Sequence, residues 1–361
     1  FSAYFLFAIL LNSVGTVILQ SIASFDITKK DASLLEAFKD LPIAAVSFLI
    51  AAWLPRFGYR RAMIVGFAAV AGVCVLMPLA PTFPTTKLLF FAIGASFALV
   101  KVSVYSTIGL ITKDSNAHAS LLNLIEGFFM VGVLAGYWLF AAFIDPADPA
   151  SLSWLDVYWL LAGLAAANVV ILLAVKFPAA QSAPAASDAK NTLLADFGAM
   201  LALMWKPAVL VFVISAFLYV LIEQGIGTWL PTFNNQVLHL PAAMSVQATS
   251  IFALALAAGR FGAGLALRFI DWFWLLAGRV GAVGALIVLA LPPAAGPEAR
   301  PRLGWLSAPL AAFVLPLVGL FMAPIYPAIN SVILSALPRE RHAAMAGLIV
   351  VFSALGGTTG S

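Results

Sequence analysis

The chain has 361 residues, of which 63% are hydrophobic and only 9% are charged. This composition excludes an ordinary soluble domain and a disordered chain, and it indicates an all-α protein that crosses a membrane several times. The net charge of +4 comes from loop residues, where anionic lipid would attract them, so we assign no nucleic-acid partner. One cysteine and three scattered histidines predict no disulfide framework, no metal site and no cofactor.

Eleven apolar segments are close to the length of about 20 residues that a membrane-spanning helix requires. The start without Met inside an apolar segment, and the end directly after another, predict a fragment that lacks a twelfth span. The segments cover residues 1–23, 34–54, 63–79, 88–112, 121–144, 154–175, 207–230, 245–267, 274–291, 306–334 and 343–355.

A polar interval at residues 177–206 separates the first six spans from the rest. It contains AAQSAPAASDAK, a small, polar, Pro-containing stretch that is typical of a flexible linker. We therefore expect an N-terminal six-helix bundle at 1–176, a linker at 177–206 and a truncated C-terminal bundle at 207–361. Most Lys and Arg residues fall on the linker side of the membrane, which places the linker and the N-terminus in the cytoplasm.

The fourth span, from Leu88 to Thr112, contains a single charge, Lys101, near its middle. A lone cation at the bilayer centre costs about 3 kcal/mol on insertion scales, so Lys101 should face an acid, a wet cavity or an anionic ligand. Glu126 in the fifth span could pair with it. We interpret this charged pair as functional, with structural stabilisation as the alternative, because burial removes much of the benefit of an ion pair.

Two earlier spans also contain polar residues at helical spacing. Asn12, Thr16 and Gln20 follow one another every four residues and predict one polar face on the first span. That face either hydrogen-bonds to neighbouring helices or forms a cavity wall. In the second span, charged residues including Asp40 lie near the external end. They either reach the outer interface or form an outer gate, with Asp40 available to Lys101.

The seventh span places Glu223 near mid-membrane, followed by Gln224 and Trp229. Trp229 could offer an aromatic face to a sugar ring or lie in the interfacial aromatic belt. Two glycines and a proline nearby, Gly225, Gly227 and Pro231, predict a discontinuous or bendable helix that exposes polar groups to a solute.

The eighth and tenth spans add further candidates. Arg260 in the eighth span cannot lose its charge and requires a partner, for which Glu223 is the first candidate. In the tenth span, Pro324 and Pro327 predict a break, since each removes a helical donor. Tyr326 and Asn330 are polar residues beside that break.

The loop after the second span, LPRFGYRR, resembles the loop signature of the major facilitator superfamily at Arg56, Gly58 and Arg61, although Pro55 replaces the usual acid. Further resemblance to the fucose permease-like sugar transporters lies in LNLIEGFFMVGVLAG, YVLIEQGIGTWLP, AGRFGAG and GLFMAPIYP. The resemblance implies two six-helix bundles, a central substrate site, alternating access and a gating role for the loop.

This resemblance implies a secondary transporter of a sugar or sugar derivative, with proton symport. The chain departs from the group in the fourth span, where Lys101 stands in place of a Glu. Coupling would therefore depend on Glu126 or Glu223, and the alternative is an organic-anion exchanger or exporter that uses Lys101 and Arg260. We expect no enzymatic activity, a monomer, and partners limited to the solute, protons and lipid of a bacterial inner membrane.

Overall fold

A computed structural model of the chain describes residues 1–50, 54–111, 115–175, 205–266, 272–294, 304–326 and 342–360. These residues form helices joined by short turns, and none of them lies in a strand. The all-α class is therefore confirmed for this part of the chain. Two compact units divide the chain, Phe1–Thr192 and Leu193–Ser361. The predicted linker lies almost entirely outside the described residues.

The first unit contains eight helices and one 3₁₀ turn among its described residues. They are α1 (Ser2–Asn12), α2 (Val14–Phe25), α3 (Lys29–Ile50), α4 (Leu54–Phe57), α5 (Tyr59–Leu79), α6 (Phe83–Ile111), α7 (Ser115–Ala142), the 3₁₀ turn Leu152–Asp156 and α8 (Val157–Ala174). Helix α1 packs on α7, α3 packs on α6, and α5 packs on both α6 and α8.

The described residues of the second unit form six helices and two 3₁₀ turns. They are α9 (Pro207–Gln236), α10 (Ala242–Ala266), α11 (Trp272–Ala294), the 3₁₀ turn Trp305–Ser307, α12 (Ala311–Val314), the 3₁₀ turn Leu315–Leu317, α13 (Val318–Met322) and α14 (His342–Gly360). Helix α9 packs mainly on α14 and also on α10, and α13 packs on α10 and α11.

Six helices among the described residues are long and apolar enough to cross a membrane, and the bent pair α1 and α2 would make a seventh span. Two shorter apolar helices, Leu276–Ala290 and Ala311–Met322, also occur. An integral membrane protein is therefore supported, while the number of eleven spans stays a prediction.

The exposed surface of α7 shows how such a helix meets lipid. Leu124, Phe128, Val131 and Trp138 are all exposed, and their spacing of three, four or seven residues places them on one face. In water this stripe would be unfavourable, but lipid chains solvate it. The opposite face of α7 is then available for packing inside the unit.

Two buried glycines allow α7 to approach α1 closely. A Cβ at Gly132 would lie 2.6 Å from the carbonyl oxygen of Phe5, and a Cβ at Gly136 would lie 3.3 Å from the Cα of Ile9. The Gly132–Gly136 pair therefore packs two helix backbones together, which is the structural role that the GxxxG spacing predicts.

The first span is bent by 43° between α1 and α2. Two polar side chains donate hydrogen bonds to backbone carbonyls at this point. Asn12 Nδ2 donates to Ala8 O at 2.9 Å, and Ser13 Oγ donates to Leu10 O at 2.7 Å. Such bonds to the preceding turn often accompany bends in helices. The axis of α2, which carries the polar residues after the bend, therefore runs in a different direction from the axis of α1.

Of the two alternatives predicted for the seventh span, the discontinuous helix is wrong, because α9 runs unbroken from Pro207 to Gln236, and the bendable helix stays a prediction. Two glycines of α9 serve packing. A Cβ at Gly225 would lie 2.8 Å from the carbonyl oxygen of Gly360 in α14, and a Cβ at Gly227 would lie 3.5 Å from the ring of Phe252 in α10. Close contacts flank α9 on two sides, and the helix continues through Pro231.

The tenth span is broken where Pro324 predicts a break, since α13 ends at Met322. Pro324 has no N–H, so the carbonyl of Leu320 four residues earlier loses its helical donor. Arg279 of α11 replaces that donor, with Nη1 3.0 Å from Leu320 O. Pro327 and Asn330 lie outside the described residues.

Candidate functional site

In the first unit, α6 places Lys101 between two aromatic rings. Its Nζ lies 5.6 Å from the ring centre of Phe97 and 5.7 Å from that of Tyr105. Phe97, Lys101 and Tyr105 share one helix face because they are four residues apart. A cation above an aromatic face is stabilised by about 0.5–2 kcal/mol, so the two rings partly compensate a charge that would otherwise be costly in the membrane.

Glu126 of α7 binds Tyr105 rather than Lys101. The Tyr105 hydroxyl donates to Glu126 Oε1 at 2.6 Å, and within the described part of the chain no carboxylate lies within 4.0 Å of Lys101. The direct Lys101–Glu126 ion pair that the sequence suggests is therefore not formed. Instead, Tyr105, which lies one turn beyond Lys101 on the same face of α6, contacts the carboxylate.

Tyr4 of α1 completes this aromatic cluster. Its ring stacks on Tyr105 at 6.2 Å and 24° and meets the rings of Phe97 and Phe129 at 6.2 and 6.0 Å. The side chain is 1% exposed, and its hydroxyl lies near that of Tyr105 but has no partner with hydrogen-bond geometry among the described residues. A buried, unmatched hydroxyl beside Lys101 and Glu126 makes this cluster a polar patch inside an apolar unit.

Asp40 does not meet Lys101 in the described structure. Lys39 Nζ lies 3.6 Å from Asp40 Oδ1 and also binds Glu36 within the same turn of α3. Glu36 is fully buried and Lys39 is 5% exposed, so these side chains are enclosed by protein rather than extended to the outer interface. The outer-gate role of Asp40 stays a prediction, and its availability to Lys101 is not supported.

In the second unit, Glu223 of α9 and Arg260 of α10 lie together. Arg260 Nη2 is 3.9 Å from Glu223 Oε1, and the side chains are 51% and 19% exposed. The partner that the sequence suggests for Arg260 is thus present. Because Arg260 is half exposed, the pair contributes only about 0–1 kcal/mol to stability. Its role in binding or coupling stays a prediction.

A second stacked tyrosine pair lies beside Glu223. The rings of Tyr219 and Tyr326 are 5.4 Å apart and inclined by 25°, and the Tyr326 hydroxyl is 2.8 Å from Ser353 Oγ. The Tyr219 hydroxyl lies near the Glu223 carboxylate but has no partner with hydrogen-bond geometry in the described structure. Each unit therefore combines two stacked tyrosines, a glutamate, a cation and one buried, unmatched hydroxyl.

The other substrate-binding residues that the sequence predicts are Gln224, Trp229, Asn12 and Asn330. Gln224 and Trp229 follow Glu223 on α9 and are half-buried. Asn12, at the bend of the first span, is half-buried, and its amide nitrogen binds Ala8 O. Asn330 lies outside the described residues.

The loop between the second and third spans positions Arg60 rather than Arg61. Gly58 has φ of +93°, a conformation that favours glycine, and it turns the chain into α5. Arg60 then binds the C-terminal end of α8, donating to Leu172 O at 2.6 Å and to Leu173 O. A cation at a helix C-terminus also meets the negative end of the helix dipole. Arg61 is exposed, and the side chain of Arg56 lies outside the described residues.

Arg60→Ala should destabilise the first unit by about 1–2 kcal/mol, because the last carbonyls of α8 lose a charged donor. The measurement is thermal unfolding of the purified protein in detergent. Arg61→Ala is the matched control and should leave the unfolding temperature unchanged. Equal unfolding temperatures for both variants would show that the contact of Arg60 with α8 contributes nothing.

Sequence reasoning missed Tyr105 and Tyr219 as parts of the site. A signal was present, because Tyr105 follows Lys101 by four residues and Tyr219 precedes Glu223 by four. Residues at this spacing share a helix face. Arg279 was also missed, since the sequence alone does not show that Leu320 O needs a donor from another helix.

Several solved structures are similar to this chain over almost its whole length. The nucleoside transporter NupG matches with a TM-score of 0.71 and 14% identity, covering 99% of this chain and 87% of that protein. A bacterial homolog of the human lysosomal transporter Spinster matches with a TM-score of 0.71 and 17% identity, covering 99% and 78%. The transporter FucP in its outward conformation matches with a TM-score of 0.62 and 18% identity, covering 99% and 87%. At such low identities these likenesses show a shared fold.

No curated protein sequence matches the chain significantly. The family model of the Major Facilitator Superfamily, however, matches residues 1–361. A match over the whole chain agrees with the helical units, the apolar spans and the structural likenesses described above. The chain belongs to the Major Facilitator Superfamily of transporters.

Proposed function

We propose that this protein is a secondary active transporter that moves a small polar solute, a sugar or sugar derivative, by alternating access with proton symport. The observation that carries the proposal is the placement of one glutamate in each unit on a membrane-spanning helix. Glu126 accepts a hydrogen bond from Tyr105, and Glu223 lies beside Arg260. Acids within apolar spans are costly and therefore usually functional.

Proton binding at these glutamates supplies the coupling. An ionised Glu126 accepts a hydrogen bond from the Tyr105 hydroxyl, and an ionised Glu223 attracts Arg260. Protonation removes the negative charge and weakens both contacts. If the outward and inward conformations differ in these contacts, a proton binds one conformation more tightly than the other. Proton binding then shifts the populations of the two conformations by an amount set by that difference in affinity.

The solute class follows from the chemistry of the candidate residues in each unit. Tyrosine rings and Trp229 offer flat apolar surfaces for a sugar ring, and Gln224, Asn12, Asn330 and Tyr326 offer hydrogen bonds to hydroxyl groups. The fucose permease-like motifs in the sequence favour a sugar over other polar solutes.

The setting of this transporter completes the proposal. An N-terminal six-helix bundle at 1–176 and a truncated C-terminal bundle at 207–361 carry one glutamate each. Residues 177–206 link them in the cytoplasm, where the N-terminus also lies. The loop with Arg56, Gly58 and Arg61 closes the cytoplasmic side, and Asp40 belongs to the outer gate. The protein acts as a monomer in a bacterial inner membrane and is not an enzyme.

Uptake into proteoliposomes tests the proposal. We expect neutral monosaccharides such as L-fucose or D-galactose to accumulate when the outside is made acidic, and to accumulate less when a protonophore collapses the gradient. Uptake that ignores the imposed pH gradient would reject proton symport. Absence of flux for every sugar in a broad panel would reject the sugar class.

An organic-anion exchanger is a second candidate, favoured by one observation. Lys101 is held by the faces of Phe97 and Tyr105, and within the described residues it has no carboxylate partner, so its charge is available to an anion. Together with Arg260 it could bind an organic acid. Counterflow distinguishes the two functions, since only the exchanger would prefer glucuronate or galacturonate to the neutral sugars and lose exchange in Lys101→Glu.

A further inference from the structure

The turn of α2 that follows the bend contains a group of buried polar side chains without hydrogen bonds. Thr16 and Gln20 are each 1% exposed and Ser21 is fully buried. The Thr16 hydroxyl, both ends of the Gln20 amide and the Ser21 hydroxyl have no hydrogen-bond partner among the described residues. Four such atoms therefore lie within six consecutive residues of one helix.

Several other buried polar side chains in the same unit do have hydrogen-bond partners, although the hydroxyls of Tyr4 and Tyr158 do not. Ser13 donates to Leu10 O at 2.7 Å, and Ser103 donates to Leu99 O at 2.7 Å. The amide of Asn168 accepts from Ser2 Oγ at 2.6 Å and donates to Leu164 O at 2.9 Å. Burial of an amide is therefore tolerated in this unit when both of its ends are bonded, and Gln20 departs from that pattern.

The departure is informative because unmatched buried polar groups are rare and costly. A side chain of the size of Leu or Met would fill the position of Gln20 without that cost. The first span instead retains an amide and, one turn earlier on the same face, a hydroxyl. Buried polar groups that the protein leaves unmatched are usually bonded to ordered water or to a bound molecule.

We propose that Thr16 and Gln20 form a subsite for a neutral hydroxyl-bearing part of the solute. The amide offers a donor NH₂ group and an acceptor carbonyl oxygen side by side, and the threonine hydroxyl can both donate and accept. A sugar hydroxyl also donates and accepts, so it can match all three atoms. A carboxylate only accepts and would leave the Gln20 carbonyl oxygen unmatched.

This inference rests on the proposed transport function and sharpens its substrate class. It separates the neutral end of the solute, at Thr16 and Gln20 on α2, from the charged cluster of Lys101 and Glu126 on α6 and α7. Neutral sugars should therefore be preferred over sugar acids that carry a carboxylate at the end bound by α2. Neither Thr16 nor Gln20 would take part in proton binding.

Thermal unfolding of the purified full chain in detergent, with and without ligand, tests the subsite. The probes are L-fucose, D-galactose and D-glucose, with glucuronate and galacturonate as acids. We expect at least one neutral sugar to raise the unfolding temperature of the wild type. Gln20→Leu should lose that ligand-induced rise, and Thr16→Val, which keeps the side-chain shape, should reduce it. In the absence of ligand, Gln20→Leu should unfold at the same temperature as the wild type or higher.

Asn168→Leu is the matched control, since it removes a buried amide whose two ends are bonded. It should lower the unfolding temperature without ligand and keep the ligand-induced rise. A lower ligand-free unfolding temperature for Gln20→Leu would show that ordered water or protein already satisfies the amide and would overturn the proposal. A ligand-induced rise that persists in Gln20→Leu, or a wild type stabilised by acids alone, would also overturn it.

Binding and transport separate failure of the subsite from failure of the transporter. If the wild type moves neutral sugars in proteoliposomes and Gln20→Leu moves them equally well, the subsite is wrong while the proposed function stands. If the wild type binds neutral sugars through Gln20 but moves none of them, the subsite stands while the transport proposal fails.

Discussion

Glu223→Gln is expected to reduce concentrative sugar uptake by at least about tenfold, a change that corresponds to a loss of about 1.4 kcal/mol of coupling free energy. Glutamine keeps the shape and a hydrogen-bonding carbonyl, but it cannot take up a proton or attract Arg260, which lies 3.9 Å away. Exchange of labelled for unlabelled sugar, which needs no net proton movement, should survive. The measurement compares uptake driven by a pH gradient with equilibrium exchange in the same proteoliposomes.

Asp31→Asn is the matched control for the loss of a carboxylate. Asp31 is exposed at the start of α3 and binds the Thr28 hydroxyl at 2.7 Å. Its removal should leave both kinds of transport unchanged. If Glu223→Gln retained full gradient-driven uptake, Glu223 would have no part in coupling, and Glu126 alone would have to supply it.

Gly259→Ala is expected to destabilise the second unit by about 1–3 kcal/mol or more, because overpacking a tight contact forces backbones apart. A Cβ at Gly259 would overlap the carbonyl oxygen of Leu320 and lie 2.9 Å from its carbon. That carbonyl also receives Arg279, so separation of α10 from α13 would disturb the bond that replaces the missing donor of Pro324. Thermal unfolding in detergent measures the effect.

Gly262→Ala lies three residues further along α10 and is the matched control. Nothing lies within 4 Å of a Cβ at Gly262, so alanine should be neutral there or stabilise the helix by up to about 1 kcal/mol. Similar unfolding temperatures for Gly259→Ala and Gly262→Ala would mean that α10 and α13 are less tightly packed than described.

The sequence predicts the helical class well because lipid requires long apolar segments. For example, the apolar run at residues 88–107 predicts the membrane span that α6 contains. Packing by Gly132 and Gly136 could also be predicted, since small residues four apart have few other uses in a membrane helix. The continuity of α9 could not be predicted. In the sequence, Gly225 and Gly227 look the same whether they loosen a helix or allow a neighbouring helix to approach.

The candidate site was predictable in its charged residues and not in its pairings. Lys101, Glu126, Glu223 and Arg260 stand out because charges in apolar spans are costly. Which partner each one meets depends on side-chain reach between helices. Tyr105 binds Glu126 at 2.6 Å in place of Lys101, whereas Arg260 lies 3.9 Å from Glu223 although the Tyr219 hydroxyl is also near that carboxylate.

The most direct measurement is labelling of cysteines placed at Lys101 and Glu223. The sequence contains a single cysteine, the buried Cys74, which Cys74→Ala removes to give a silent background. In right-side-out and inside-out membrane vesicles, we expect Lys101→Cys and Glu223→Cys each to react with an impermeant maleimide added from either side, and sugar to slow both reactions. Cysteines that react from neither side would contradict a water-accessible solute path through these residues.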